Sequence, residues 1–389
     1  MNIQLTGSII KQVESIIQKA IEIGVSDIHI EPFEKSYRLR YRLDGVLQEV
    51  AQLPISQKDA LVSRVKIMSN LDIAEKRRPQ DGRIKVRSKK GSDIDLRVSI
   101  LPTHYGEKVV MRILDKSHLD LNLEALGFDG KILNNFRKGI SNPYGMILVT
   151  GPTGSGKTTS LYAALNELNS EEVNITTIED PIEYNLEGIN QTQVHEEIDL
   201  TFANVLRSIL RQDPNIIMVG EIRDKETAEI AIRSALTGHL VFSTLHTNDA
   251  ASAVSRLTDM GVEPFLVASS VRLIMAQRLV RKICPDCQVE YTPDPIMVKD
   301  LGLNGEQFSY KKGEGCSTCN GTGYKGRTAL IELLVFDEIL ASRIMENINS
   351  GELKEQARKN GMITLREVGI QKIKAGLTTV EEIYRETVL

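Results

Sequence analysis

The sequence predicts an α/β protein in which a mostly parallel sheet covered by helices follows a smaller α+β domain. Three observations point to this. Short apolar runs such as "MILVTG", "NITTIED", "NIIMVGE" and "HLVFSTLHT" alternate with helical segments in the second two-thirds of the chain, the pattern of a parallel sheet with functional residues at the carboxyl ends of its strands. The first third shows strands of period two, with a hairpin signal at Asp44-Gly45. At 389 residues the chain has room for two or three domains, each able to bury its own core.

In chain order, apolar residues at Ile9, Ile10, Val13, Ile16, Ile17, Ala20 and Ile21 form a helical stripe from Ser8 that Gly24 terminates. The strand-like "DIHIEPF" and "YRLRYRLDGVLQEV" follow, then a second helix near Gln57 to Asn70 and three further strands, "GRIKVRS", "DIDLRVSIL" and "KVVMRIL". Residues 1–115 therefore read as an α+β domain, 116–130 as a linker, and 131–389 as the helix-covered sheet. Within the last, Pro and Cys cluster over 281–328 in an inserted subdomain, and 329–389 reads as helices. No repeat of solenoid period is visible.

Hydrophobic residues at 41% and charged residues at 26% describe an ordinary globular chain rather than a disordered one. The net charge of -4 provides no general attraction to phosphate backbones or anionic lipid, so no nucleic-acid partner is expected. The N-terminal "MNIQLTGSIIKQ" lacks the layout of a secretory signal, and no apolar run reaches the roughly 18 residues a membrane span needs. A cytoplasmic location follows as the expectation.

"GPTGSGKT", Gly151 to Thr158, fits GxxxxGK[ST] at every position, follows a strand-like run and precedes the helix-like "TSLYAALNEL". The candidate phosphate cradle is Gly151, Thr153, Gly154, Ser155, Gly156, Lys157, Thr158 and Thr159. Its glycines let backbone amides turn toward a β-phosphate, and the helix N-terminus adds partial positive charge. Lys157 is placed to reach the β- and γ-phosphates of ATP, and Thr158 to ligate Mg2+. In "NIIMVGEIRD" an apolar strand then delivers an acid. A typical nucleotide-hydrolysing motor ends such a strand in an aspartate, but here Gly220 holds that place and Glu221 follows it.

"CPDC" and "CSTC" use every cysteine of the chain, Cys284, Cys287, Cys316 and Cys319. Two CxxC pairs provide four thiolates suited to tetrahedral Zn2+, a structural site because four sulfurs leave no open position; a redox dithiol is the alternative.

The stretches "GPTGSGKTT", "TTIEDPIEY", "LRSILRQDPNIIMVGEIRD" and "TGHLVFSTLHTNDA", with the cysteine pairs and with "SDIHIEP" and "AEKRRPQDGRIKVR" upstream, resemble the type II secretion and type IV pilus assembly ATPase family over nearly the whole chain. The resemblance implies a RecA-like P-loop ATPase domain with a zinc-knuckle insertion, preceded by a PAS-like α+β domain. It makes Glu221 the acid of the Walker B strand, and "IEDPIEY" an Asp box bringing Glu179, Asp180 and Glu183 to a neighbouring strand end. Glu221 is then favoured on the metal and Glu183 on the attacking water, although the reverse assignment uses the same residues. His239 and His246 match the family's His box, with His246 the γ-phosphate sensor. A lone histidine is more often a hydrogen-bonded core residue. Arg97 and Arg112 match arginines that the family turns toward the nucleotide, where period two alone would make them solvent-facing strand residues. Arg207 and Arg211, four apart on a helix, match a pair at the subunit face.

The function so implied is a cytoplasmic, ring-forming motor, a homo-hexamer peripheral to the inner membrane, which drives pilus assembly or protein secretion through a membrane platform protein. The alternatives are a RecA-like nucleic-acid motor, a DNA-uptake pseudopilus ATPase, and a nucleotide-gated adaptor that does not hydrolyse. Members of the family usually carry a further N-terminal domain, so the resemblance also implies a truncated or a short member.

Overall fold

The computed structural model describes residues 6–89, 91–114, 121–128, 130–303, 308–346 and 348–387, and the chain divides into two compact units, Met1–Leu119 and Asp120–Leu389.

The first unit opens with α1 (Ile9–Ile23), where the Ser8 hydroxyl accepts from the Lys11 N–H and Gly24 closes the helix at φ 81°. Then come β1 (Asp27–Pro32), β2 (Tyr37–Leu43), β3 (Val46–Leu53), α2 (Lys58–Met68), β4 (Gln80–Arg87), β5 (Asp93–Thr103) and β6 (Gly106–Leu114). They form an antiparallel sheet in the order β3-β2-β1-β6-β5-β4. Period two decides its faces. Ile28, Ile30, Leu39, Tyr41, Leu96, Val98, Val109 and Met111 pack with Val13, Ile16, Ile17, Leu61 and Val65 of the two helices in one core. The alternate positions put Asp27, His29 and Glu31 beside Arg38, Arg40, Arg42, Lys108 and Arg112 across the neighbouring strands.

The second unit contains α3 (Gly130–Ile140), β7 (Gly145–Thr150), α4 (Lys157–Leu168), β8 (Ile175–Glu179), β9 (Asn190–Gln193), α5 (Phe202–Ile209), β10 (Ile216–Val219), α6 (Lys225–Leu236), β11 (Leu240–Leu245), α7 (Ala250–Asp259), α8 (Pro264–Ser270) and β12 (Val271–Ile283). It continues with β13 (Gln288–Glu290), α9 (Pro295–Asp300), β14 (Lys311–Gly313), β15 (Tyr324–Val335) and α10 (Glu338–Met345), and ends in α11 (Ser350–Lys359), α12 (Leu365–Lys374) and α13 (Val380–Thr387). The main sheet runs β15-β12-β7-β11-β10-β8-β9, parallel except that β15 is antiparallel to β12. Every residue of β7, β10 and β11 is buried. Apolar clusters lie on both faces, with Leu161 and Phe136 of α4 and α3 in one, and Leu206, Ile232 and Leu257 of α5, α6 and α7 in the other.

The tail expected to be helical from Ala329 begins instead in β15, which pairs along β12 from Leu273↔Val335 to Ile283↔Tyr324. "TALIELLV" is buried from Ala329 to Leu334, and a short apolar run buried on both sides has no periodicity that separates strand from helix. Helices begin only at α10.

Candidate functional site

The carboxyl ends of β7, β11, β10 and β8 lie side by side, because their registers match Thr150 to Leu245, Val219 to Ser243, and Val219 to Ile178. From β7 the chain turns through the glycine loop into α4, whose N-cap is Gly156 in the left-handed region. A Cβ at Gly151 would stand 2.4 Å from the Gln277 carbonyl oxygen, so a side chain there would collide with β12. The loop is thus shaped by the strand behind it as well as by any ligand. The Lys157 ammonium donates to the carbonyls of Gly151 and Pro152 at 2.8 and 3.1 Å. Burial pushes that ammonium below the usual lysine range, an effect Glu221 opposes and Arg278 adds to. The Ser155 hydroxyl is buried in the loop and has no hydrogen-bond partner among the described residues. A buried hydroxyl with no partner among the described residues, a lysine that donates to loop carbonyls and a loop closed to side chains at Gly151 and Gly156 suit the oxygen-rich triphosphate of ATP.

Glu221 follows β10 and is mostly buried; its carboxylate meets Arg223 at 2.5 Å and His246 Nε2 at 3.3 Å. Arg223 also lies 3.8 Å from Asp180, so one guanidinium spans the ends of β10 and β8. A Cβ at Gly220 would stand 3.0 Å from the Ile178 carbonyl oxygen. The neighbouring backbone therefore crowds the place where an aspartate is common, and the acid moves on to Glu221. Thr244 donates its hydroxyl to the Gly220 carbonyl at 2.7 Å, and the Thr247 N–H donates to the Thr150 hydroxyl oxygen at 2.9 Å. These bonds hold the His246 turn between the two strands that carry the loop and the acid.

Other expected residues lie elsewhere. Glu179 turns inward: its carboxylate accepts from the Tyr162 hydroxyl, from Thr177 at 2.7 Å and from Gln191 at 2.9 Å, which leaves it inside the protein rather than facing the loop. Sequence places it at a strand end, but the inward-facing neighbours decide which way it points. Glu183 sits on the loop after β8, where its backbone N–H meets the Tyr162 hydroxyl. His239 precedes β11 and bonds the Ser234 carbonyl at 3.0 Å, so the strand separates it from His246. Arg207 pairs with Glu226 and Arg211 donates to the Arg207 carbonyl at 2.8 Å, both on or beside the exposed flank of α5. In the first unit Arg97 and Arg112 face each other across β5 and β6, and Arg112 meets Asp27 at 2.9 Å. Arg223 was missed from sequence because a charged residue after a strand reads as solvated surface.

The four cysteines converge at the tip of the β12–β15 pair, with all Sγ atoms within 4.8 Å of one another. Cys284 and Cys316 are 3.8 Å apart, Cys316 and Cys319 3.8 Å, and Cys287 and Cys319 3.9 Å. Zn–S bonds of about 2.3 Å in a tetrahedron put sulfurs about 3.8 Å apart, so the set fits zinc. Burial works against the Cys319 thiolate, but N–H groups of Cys316 and Gly323 at 3.1 and 3.2 Å outweigh it and bring its pKa down to about 6. Behind the cluster two chains cross so tightly that a Cβ at Gly313 would lie 2.0 Å from the Gly323 carbonyl oxygen, and one at Gly323 2.3 Å from that of Gly313.

A glycine loop between a buried strand and a helix, with acid and histidine at the ends of neighbouring parallel strands, defines a P-loop ATPase of the RecA-like class. Residues 3–385 match the family model "Type II/IV secretion system protein", and the chain belongs to that family. It is 51% identical over 384 residues to the type IV pilus assembly ATPase PilB of Myxococcus xanthus, covering 97% of this chain and 68% of that protein. It is also 51% identical over 380 residues to the type II secretion system ATPase E of Vibrio cholerae, covering 97% and 75%. Among solved structures, the pilus retraction motor PilT with bound ADP superposes with a TM-score of 0.64 at 28% identity, covering 96% of each chain.

Proposed function

We propose that this chain is a cytoplasmic motor ATPase, hexameric and peripheral to the inner membrane, that drives type IV pilus assembly or type II protein secretion through a membrane platform protein. One observation carries the hydrolytic part: Glu221, paired with Arg223 and His246, stands at the strand end that also influences the half-buried Lys157. Likeness at about half identity to pilus assembly and secretion ATPases supports the rest. Among the described residues no helix is long and apolar enough to cross a membrane.

In this reading Lys157 neutralises β- and γ-phosphate charge, and Thr158 with Glu221 holds Mg2+, which when bound offsets charge on the transferring phosphoryl group. Glu183 orients the attacking water, His246 senses the γ-phosphate through its contact with Glu221, and Arg97 and Arg112 of the PAS-like first unit supply cationic charge on domain closure. Glu179 supports the Asp box from inside. The thiolates of Cys284, Cys287, Cys316 and Cys319 hold a structural zinc. Glu221→Gln keeps volume and removes charge, so ATP should bind while turnover falls by about 10² or more. An unchanged kcat moves the burden to Glu183. Single-stranded DNA should leave the wild-type rate unchanged, and stimulation by it would favour a nucleic-acid motor instead.

A further inference from the structure

Strand β12 forms the back wall of the phosphate loop, and one residue on it lines the loop and the helix that follows with both its backbone and its side chain. Gln277 is 2% exposed, at the carboxyl end of the segment paired with β7, immediately after Ala276↔Thr150. Its backbone carbonyl oxygen lies 2.4 Å from where a Cβ of Gly151 would be, and its Nε2 lies 2.9 Å from where a Cβ of Gly156 would be. Its Oε1 accepts from the Ser160 hydroxyl at 2.8 Å, and Ser160 is itself fully buried in the first turns of α4. The first and last loop glycines and the helix bearing Lys157 and Thr158 are thus all referred to one residue. Burying an amide costs free energy that a leucine or methionine would not incur. Here the amide oxygen supplies the acceptor for the Ser160 hydroxyl, which no apolar side chain supplies, and the amide nitrogen packs closely beside Gly156.

We propose that Gln277 is a positioning residue of the ATPase site: it fixes the phosphate loop against β12 and, through Ser160, sets the start of α4 so that Lys157 and Thr158 stand where phosphoryl transfer needs them. Removing the amide leaves the Ser160 hydroxyl without its buried acceptor and loosens the packing beside Gly156. A displacement of about 1 Å in a catalytic group can cost about 10²-fold in rate. The loss should fall on the transition state more than on ground-state binding, since ADP can still be gripped by a looser loop.

The proposal rests on the ATPase reading, so wild type and Lys157→Ala are assayed alongside: absence of wild-type turnover would count against that reading and not against Gln277. In the full-length chain, Gln277→Met keeps the volume and removes the amide. The expected result is a kcat about 10- to 100-fold below wild type, with ADP affinity within about threefold and a melting temperature close to wild type. Ser160→Ala should lower kcat less, and the Gln277→Met, Ser160→Ala double variant should be no slower than Gln277→Met alone, because the two act through one bond. A Gln277→Met variant with wild-type kcat overturns the proposal. So does a double variant whose losses add, or a kcat that falls only in step with the folded fraction in a thermal melt.

Discussion

In the first unit the buried acid Glu31 meets Arg40 at 2.8 Å, Lys108 at 3.1 Å and Arg38 at 3.3 Å, while in the second the half-buried cation Lys157 donates to the carbonyls of Gly151 and Pro152. The consequences for protonation differ in kind. Burial opposes the Glu31 carboxylate, yet the Arg40 and Lys108 contacts outweigh it and hold the carboxyl down to about 2. Burial also opposes the Lys157 ammonium, and there it prevails. One set of charges compensates itself and stabilises its sheet; the other has its neutral partners on hand and an anion still to come. The Glu31 charge is closed within its sheet, and the Lys157 charge is suited to completion by a phosphate.

The largest effect that could break this contrast is at Lys157. Lys157→Ala should abolish hydrolysis and weaken ATP binding, and turnover like that of the wild type would show that the lysine is as self-contained as Glu31. Arg97 and Arg112 test the boundary between the two kinds of charge, because Arg112 already pairs with Asp27. Alanine at either should cut ATP turnover by about 10³ while leaving ADP affinity nearly unchanged, since ADP lacks the γ-phosphate; normal hydrolysis would assign both arginines to the compensated sheet face.

At the cysteine cluster, elemental analysis should find one zinc per chain, lost in a Cys284→Ser, Cys316→Ser double variant together with a lowered melting temperature and with less effect on ADP affinity. Protein that purifies without zinc and labels readily at all four thiols would favour a redox pair. The smallest effect is expected at Glu31→Gln, a loss of about 1–3 kcal/mol at neutral pH, discounted because its cationic partners are partly exposed. The folded pKa lies below the unfolded value of about 4.3, so this stabilisation is present above that pH and disappears as pH falls toward 2. Denaturant midpoints of wild type and variant should therefore converge between pH 5 and about 2.5, and a constant gap would contradict the pairing.

The parts of the site that depend on local chain chemistry were legible in the sequence. The glycine loop announces itself because strand, loop, lysine and helix are contiguous, and Glu221 because it adjoins an apolar strand. Glu179 and His239 show the limit. Both border strands, but Glu179 turns toward Tyr162, and His239 occupies the far end of β11 from His246. A strand end is visible in sequence; the direction of a side chain there depends on which neighbours from other elements fold beside it. Gln277 lay in an apolar run with nothing to mark it, because the loop it touches is more than a hundred residues earlier, as the Ser160 bond at a separation of 117 shows. The hidden β15 has the same cause, since a strand buried on both faces loses its alternation.

The glycine crossing behind the cysteines has a consequence for heredity. Every glycine codon, on any single-base change that alters the amino acid without ending the chain, encodes a residue with a Cβ. At Gly313 and Gly323 that atom would fall 2.0 and 2.3 Å from the opposite backbone oxygen, far inside contact distance and against atoms that belong to no movable side chain. Neither codon therefore has a mild missense neighbour. In a library of point variants, these two positions should be depleted for all substitutions alike, alanine included, whereas exposed positions nearby such as Lys312 tolerate many.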